Sequence, residues 1–206
     1  MTHLILSSKV SDKYDLIICF GGMLQSIAKI PPFEFLHYLS SQYTGSAKAM
    51  DLIFVVDQLQ CWYHCGLKGI TASVEETVVY LNDIISERPR NRVLFMGCSA
   101  GGYAAILFGS LCKGVDHVIA FCPQTTLVSP IDRKYGDLKP YINESVHYTL
   151  VNSPRTRPPD DLHHLSHCHH LSGSGQANIK LRLFNENLKQ LRDNGVLKKL
   201  LDNAFT

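Results

Sequence analysis

No stretch of this 206-residue sequence approaches the ~20 consecutive apolar residues that a membrane-crossing helix needs, so no membrane span is expected. Charge of either sign is scarce. Only 18% of residues are Asp, Glu, Lys or Arg, and they balance to +2, which argues against a nucleic-acid-binding surface or an acidic tail. The seven cysteines, at positions 19, 61, 65, 98, 112, 122 and 168, contain no Cys-x-x-Cys pair and no disulfide-like framework. Their odd number fits buried free thiols in a reducing cytosol, and a cytoplasmic location is expected. The first residues also lack the basic stretch, long apolar run and small-residue cleavage site of a secretory leader. No internal repeat is present. What remains is a chain 45% hydrophobic, long enough to bury a core and neither disordered nor collagen-like in composition. A single domain over residues 1–206 is the expectation.

Apolar, β-branched runs alternate with segments of helical period, which predicts an α/β fold: a mostly parallel sheet with helices on both faces. The expected strands are Tyr14–Phe20, Asp51–Val56, Arg92–Met96, His117–Phe121, Val146–Val151 and Ile179–Phe184. Most are continuous apolar runs, as strands buried on both faces require. A helix opens at Ser73, where Ser73 and Glu76 form a capping box and Val74, Val78, Leu81 and Ile85 follow at helical spacing. A second helix, rich in small residues, is expected from Ala100 to about Cys112. A third is expected from Asn187 to Asn203, with Leu188, Leu191, Leu197 and Leu201 as its apolar stripe. Residues 125–174 differ in character. They hold Pro130, Pro140, Pro154, Pro158 and Pro159, and five of the ten histidines fall within His163–His170. This segment reads as a loop-rich excursion over the surface.

The sharpest signal is Gly97-Cys98-Ser99-Ala100-Gly101-Gly102, which follows an expected strand and opens an expected helix. That is the strand–turn–helix context of a nucleophile elbow. The turn is tight, so the residues two positions to either side of the serine must be tiny, and Gly97 and Gly101 meet that demand. The alternative is a glycine-rich turn that only packs closely, or one that binds a phosphate at the helix N-terminus. A nucleophilic serine also needs donors for the oxyanion. The Ala100 N–H supplies one. Phe20-Gly21-Gly22-Met23, after an early strand, supplies the second through Gly22 or Met23, unless it is an ordinary strand-end turn.

The elbow, its helix and the string Val118-Ile119-Ala120-Phe121-Cys122-Pro123-Gln124-Thr125 resemble the α/β-hydrolase superfamily. Within it, they resemble the small serine-hydrolase-like proteins associated with polysaccharide biosynthesis and with accessory secretion of glycosylated adhesins. Asp57, followed by Trp62-Tyr63 and Gly66, is similar to a D…WY…G stretch of that group, and Leu191–Leu197 is similar to its ending. The likeness covers residues 15–125 closely and 179–201 more loosely. It implies an α/β-hydrolase-like fold, and 206 residues leave little chain for a large lid, so a minimal lid is expected. It also implies hydrolysis or transfer of an ester-linked acyl group, acetyl esters and acylated glycans included.

In that superfamily the chain order is nucleophile, acid, histidine. The strand Val146–Val151 leads through a proline-rich loop to Asp160 and Asp161, so one of these is the expected acid, Asp161 first, with Asp132 in reserve. Their other reading is helix capping. The last strand should then deliver the histidine, but Phe184-Asn185-Glu186-Asn187 follows it, and there is no histidine after His170. A helix from about Asp161 to Leu171 would hold His163 and His164 at the sheet's carboxyl edge and carry His169 and His170 ~15 Å away. His163 or His164 is therefore the expected base. Ser99 would attack, Ala100 with Gly22 or Met23 would hold the oxyanion, and a histidine oriented by Asp161 would shuttle the proton.

Two further readings stay open. If Asn185 or Glu186 stands in the histidine's place and no imidazole reaches Ser99, the chain is a non-catalytic binding or assembly protein in a glycan pathway. Alternatively, His163, His167 and His170 share one helical face and could present three imidazoles to a metal. The expectation carried forward is no metal and no cofactor. Cys61 and Cys65, either side of Trp62-Tyr63-His64, read as core packing.

Overall fold

The computed structural model of the chain describes residues 3–7, 12–23, 35–43, 49–128, 133–155, 158, 161, 163–173 and 175–205. Its strands are β1 His3–Ser7, β2 Tyr14–Phe20, β3 Met50–Val55, β4 Arg90–Cys98, β5 His117–Phe121, β6 His147–Asn152 and β7 Ile179–Leu183. Its helices are α1 Leu36–Tyr43, α2 Val74–Ser86, α3 Ala100–Leu111, α4 Ser166–Ser172, α5 Leu188–Asp193 and α6 Val196–Ala204. The described strands form one sheet in the order β1-β3-β2-β4-β5-β6-β7. β1 runs antiparallel to β3, and every other neighbouring pair is parallel.

Both faces of the sheet are covered, and the strand sequences show why. All seven residues of β2 are buried. Leu16, Ile18 and Phe20 pack with α2, α3 and α4 on one face, whereas Ile17 and Cys19 pack with α1, α5 and α6 on the other. This is the period-two alternation of a strand with apolar partners on both sides. The sheet ends differently at β7, where Lys180, Arg182 and Leu183 are exposed.

Helix α2 starts where its capping signal predicts. The Glu76 N–H donates to Ser73 Oγ at 3.1 Å, and Glu76 Oε2 accepts the Ala72 N–H at 2.8 Å. Helix α3 is buried from Ala100 to Ser110, and its small residues let it lie directly on β4 and β5. A Cβ at Gly109 would come within 2.4 Å of Val118 Cγ2.

Two expectations are corrected and two elements are added. The helix expected over Asn187–Asn203 is two helices, because Gly195 takes φ 72° and turns the chain between α5 and α6. The helix expected from about Asp161 begins only at Ser166. β1 and α1, which were not anticipated, add an antiparallel edge strand and a helix over the second face.

Candidate active site

Ser99 sits between β4 and α3 with φ 58° and ψ −122°, a backbone region that L-residues occupy only at a cost. The turn is held at both ends. The Ser99 N–H donates to the Phe121 carbonyl at 2.9 Å, and the Tyr103 N–H donates to the Ser99 carbonyl at 3.0 Å. The glycines two positions away leave no room for a side chain. A Cβ on Gly97 would lie 2.3 Å from the Gly101 carbonyl oxygen, and one on Gly101 would lie 2.0 Å from the Phe20 carbonyl oxygen. Both obstacles are backbone, so neither can swing aside. The Ser99 hydroxyl caps no helix N–H. Ala100 opens α3, where the first N–H groups have no carbonyl partner within the helix.

The loop after β2 lies on this first turn. The site for a Gly101 Cβ is 3.0 Å from the Gly21 carbonyl carbon, and the Gly21 N–H donates to the Val55 carbonyl at 2.8 Å. Gly22 is buried, while Met23 is 39% exposed. The Ala100 N–H and the Gly21–Gly22 peptide are thus brought to the same corner of the sheet.

The histidine cluster is dispersed rather than convergent. His163 Nδ1 lies 3.0 Å from Gln124 Nε2 and 3.2 Å from the Cys122 carbonyl oxygen, next to the strand end that anchors Ser99. His164 Nδ1 accepts the Ser166 N–H at 3.2 Å and so caps α4. His167 is tied to Thr125, accepting its N–H at 3.3 Å. Burial lowers the His167 pKa, and the neighbouring imidazoles add to the effect. His170 Nε2 pairs with Asp137 Oδ1 at 2.8 Å, and His169 is exposed. Among the described residues no group of three or more His, Cys, Asp or Glu is gathered to hold a metal.

The Asp161 carboxylate accepts the His163 backbone N–H at 2.7 Å, the contact of a turn cap. The neighbours of the His163 ring are instead the Gln124 amide and the Cys122 carbonyl. The Gln124 Nε2 only donates and the Cys122 carbonyl only accepts, so Nδ1 serves one or the other. The tautomer with a proton on Nδ1 bonds the carbonyl and leaves the Nε2 lone pair available, and the tautomer without it accepts from Gln124. Asp160 and Asp132 lie outside the described residues. Among the described residues the Ser99 hydroxyl is hydrogen-bonded to no histidine.

A cavity of about 230 Å³ opens at the carboxyl ends of β4 to β7. Its walls are mostly apolar, from Phe121, Val151, Phe184 and Leu191, with Cys98 and Cys122 on the elbow side. Asn185 and Glu186, which follow the last strand, line it, and Arg155 reaches over to donate to the Asn185 carbonyl at 3.0 Å. The sequence reading missed the supporting polar groups Gln124, Thr125 and Asn152, all buried. Their signal was available: polar residues just past the apolar runs of β5 and β6.

No protein-family model and no curated protein sequence matches this chain. Solved structures do match. A variant of the capsule O-acetyltransferase of Neisseria meningitidis serogroup A, in complex with CoA, superposes with a TM-score of 0.65 at 14% identity, over 98% of this chain and 91% of that one. A fluorophosphonate-binding serine hydrolase of Staphylococcus aureus gives a TM-score of 0.66 at 8% identity, over 99% and 98%. An acetyl xylan esterase from Paenibacillus gives 0.62 at 11% identity, over 98% and 78%. The fold is α/β-hydrolase-like.

Proposed function

We propose that this protein is a serine acyl hydrolase or acyltransferase acting on small acyl esters, sugar-linked esters included. The observation that carries the reading is the Ser99 turn. Its positive φ persists only because Gly97 and Gly101 allow β2, β4 and α3 to meet at backbone contact. Such strain is a feature of functional positions. Ser99 attacks the ester carbonyl, and the Ala100 and Gly22 amides receive the oxyanion, with Met23 the other donor on that loop. His163, with Nδ1–H on the Cys122 carbonyl, takes the serine proton at Nε2 and gives it to the departing alcohol oxygen as the ester C–O bond breaks. Water or an acceptor hydroxyl then takes the acyl group from Ser99. Asp161 holds the turn that carries His163, and His164 is the second histidine of that turn. The mostly apolar cavity beside Cys98 suits the acyl group, and the acetyl-ester chemistry named for the structural neighbours agrees with it. The seven free thiols suit a reducing cytoplasm.

The test is fluorophosphonate labelling and p-nitrophenyl acetate turnover by wild type and by Ser99→Ala. Labelling confined to Ser99, and turnover lost in the variant, is the expected result. Turnover equal in both proteins would end the reading. One observation favours a second reading: Asn185 and Glu186 occupy the loop after the last strand. A chain that folds, binds an acylated glycan and never labels at Ser99 would be the non-catalytic binding protein.

A further inference from the structure

The segment from Asp57 to Gly66 takes no part in the chemistry above, yet it is among the most constrained stretches of the molecule. Gln60, Trp62 and Tyr63 all have positive φ, at 51°, 58° and 63°. L-residues other than glycine take this conformation only at a cost. The restraint is Asp57, which is buried just past β3. Its carboxylate accepts three backbone N–H groups: Leu59 at 3.1 Å, Cys61 at 2.8 Å and Tyr63 at 3.0 Å.

The coil so formed delivers one side chain into the interior. Tyr63 is fully buried, with its ring edge-on to Phe20 and Phe108. Its hydroxyl donates to the Gly21 carbonyl at 2.8 Å and lies 3.3 Å from the Val55 carbonyl. The Gly21 carbonyl and the Gly22 N–H belong to one planar peptide and point in opposite directions. Whatever holds the carbonyl therefore aims the N–H. Two glycines in succession would otherwise leave this peptide free to rotate.

We infer that Tyr63 is a positioning residue: through the Gly21 carbonyl it fixes the direction in which the Gly22 N–H is presented beside Ala100, and the Asp57 coil exists to hold Tyr63 there. This rests on the serine-hydrolase reading of Ser99. An oxyanion donor is effective only when preorganised, and losing one costs ~10²–10³ in rate. Tyr63→Phe keeps the ring and removes the restraint without removing the donor, so the expected loss is smaller, ~10- to 100-fold in kcat.

The experiment compares wild type, Tyr63→Phe and Asp57→Asn for p-nitrophenyl acetate kinetics, for the rate of fluorophosphonate labelling and for inhibition by a boronic acid, whose adduct on serine is tetrahedral. The expected pattern for Tyr63→Phe is a fall in kcat with KM within about threefold, boronate affinity falling in parallel with kcat. Asp57→Asn should give the same pattern more weakly. If Tyr63→Phe labels and turns over like wild type, the inference fails while the serine-hydrolase reading stands. A Tyr63→Phe protein that cannot fold, with Asp57→Asn showing normal kcat, overturns it too, since the hydroxyl would then be structural. If wild type itself never labels at Ser99, the functional reading fails first.

Discussion

The two flanks of Ser99 are built on different principles. Towards β2 and β3 the packing is backbone against backbone, with the Tyr63 hydroxyl on the Gly21 carbonyl behind it: Gly97, Gly101, the Phe20 carbonyl and the Gly21–Gly22 peptide meet at distances that exclude a single methyl group. Towards β5, β6 and β7 the site depends on side chains carried by long connections, with His163 arriving from a turn that follows the proline-rich loop and Glu186 from the end of β7. The first flank leaves no room for a side chain at Gly97 or Gly101. The second draws His163 and Glu186 from connections outside the strands. Under the proposed function, the serine and oxyanion corner is set by backbone packing and the proton-transfer side by loop side chains.

The harshest way to break this contrast is Gly101→Ala. Its Cβ would meet the Phe20 carbonyl at 2.0 Å, so destabilisation of about 3 kcal/mol or more in urea unfolding is expected, with no labelling at Ser99. A variant that folds and labels normally would show that the elbow is looser than its contacts imply.

The second flank is sharpened by substituting His163, His164, His167, His169 and His170 singly with alanine. Labelling should fall ~10²–10⁴-fold for His163→Ala and by only a few-fold for the others. Glu186→Gln belongs in the same series. A larger loss there than at 163 would move the base to the loop after β7.

The opposite end of the sheet supplies a contrast in pH response. At the start of β5, burial pushes the His117 imidazole down to about 4, and His147, Lys180 and Arg92 reinforce the shift while Asp116 opposes it. The unfolded chain then binds a proton that the folded one refuses. Stability is complete above about pH 6.5 and falls as the pH drops towards 4, by at most roughly 3 kcal/mol. Urea unfolding between pH 7 and 4 should show this slope, and His117→Gln should flatten it. Equal slopes in the two proteins would remove His117 as the cause.

The mildest expected effect lies at Ser73. Removing its hydroxyl in Ser73→Ala deletes the bond from the Glu76 N–H and should cost about 1 kcal/mol of stability, leaving Ser99 labelling unchanged. An altered labelling rate would mean that α2 communicates with the elbow.

These flanks also differ in how far they could be read from residues alone. Gly97, Ser99 and Gly101 announce their turn because backbone sterics permit few residue types there. Tyr14–Phe20 and His117–Phe121 begin and end as read, since a run buried on both faces has one solution. The region around His163 was less legible. The start of α4 follows local turns, with His164 Nδ1 accepting the Ser166 N–H two residues on, a choice among several neighbouring polar side chains that periodicity does not rank. The split between α5 and α6 was legible in principle, as Asn194-Gly195 is a helix stop followed by a fresh start. The coil at Asp57 was not, because three non-glycine residues with positive φ carry no compositional mark.

Among the described residues, strand β7 closes the sheet with β6 as its one neighbour, and Lys180 and Arg182 on it are exposed. An unpaired strand edge invites another chain to zip onto it, and cationic side chains along that edge raise the cost of doing so. A second copy approaching β7 in register would have to bring its own lysine and arginine against these two. The edge nearest the His163 flank of Ser99 thus carries a like-charge penalty against pairing with a second copy.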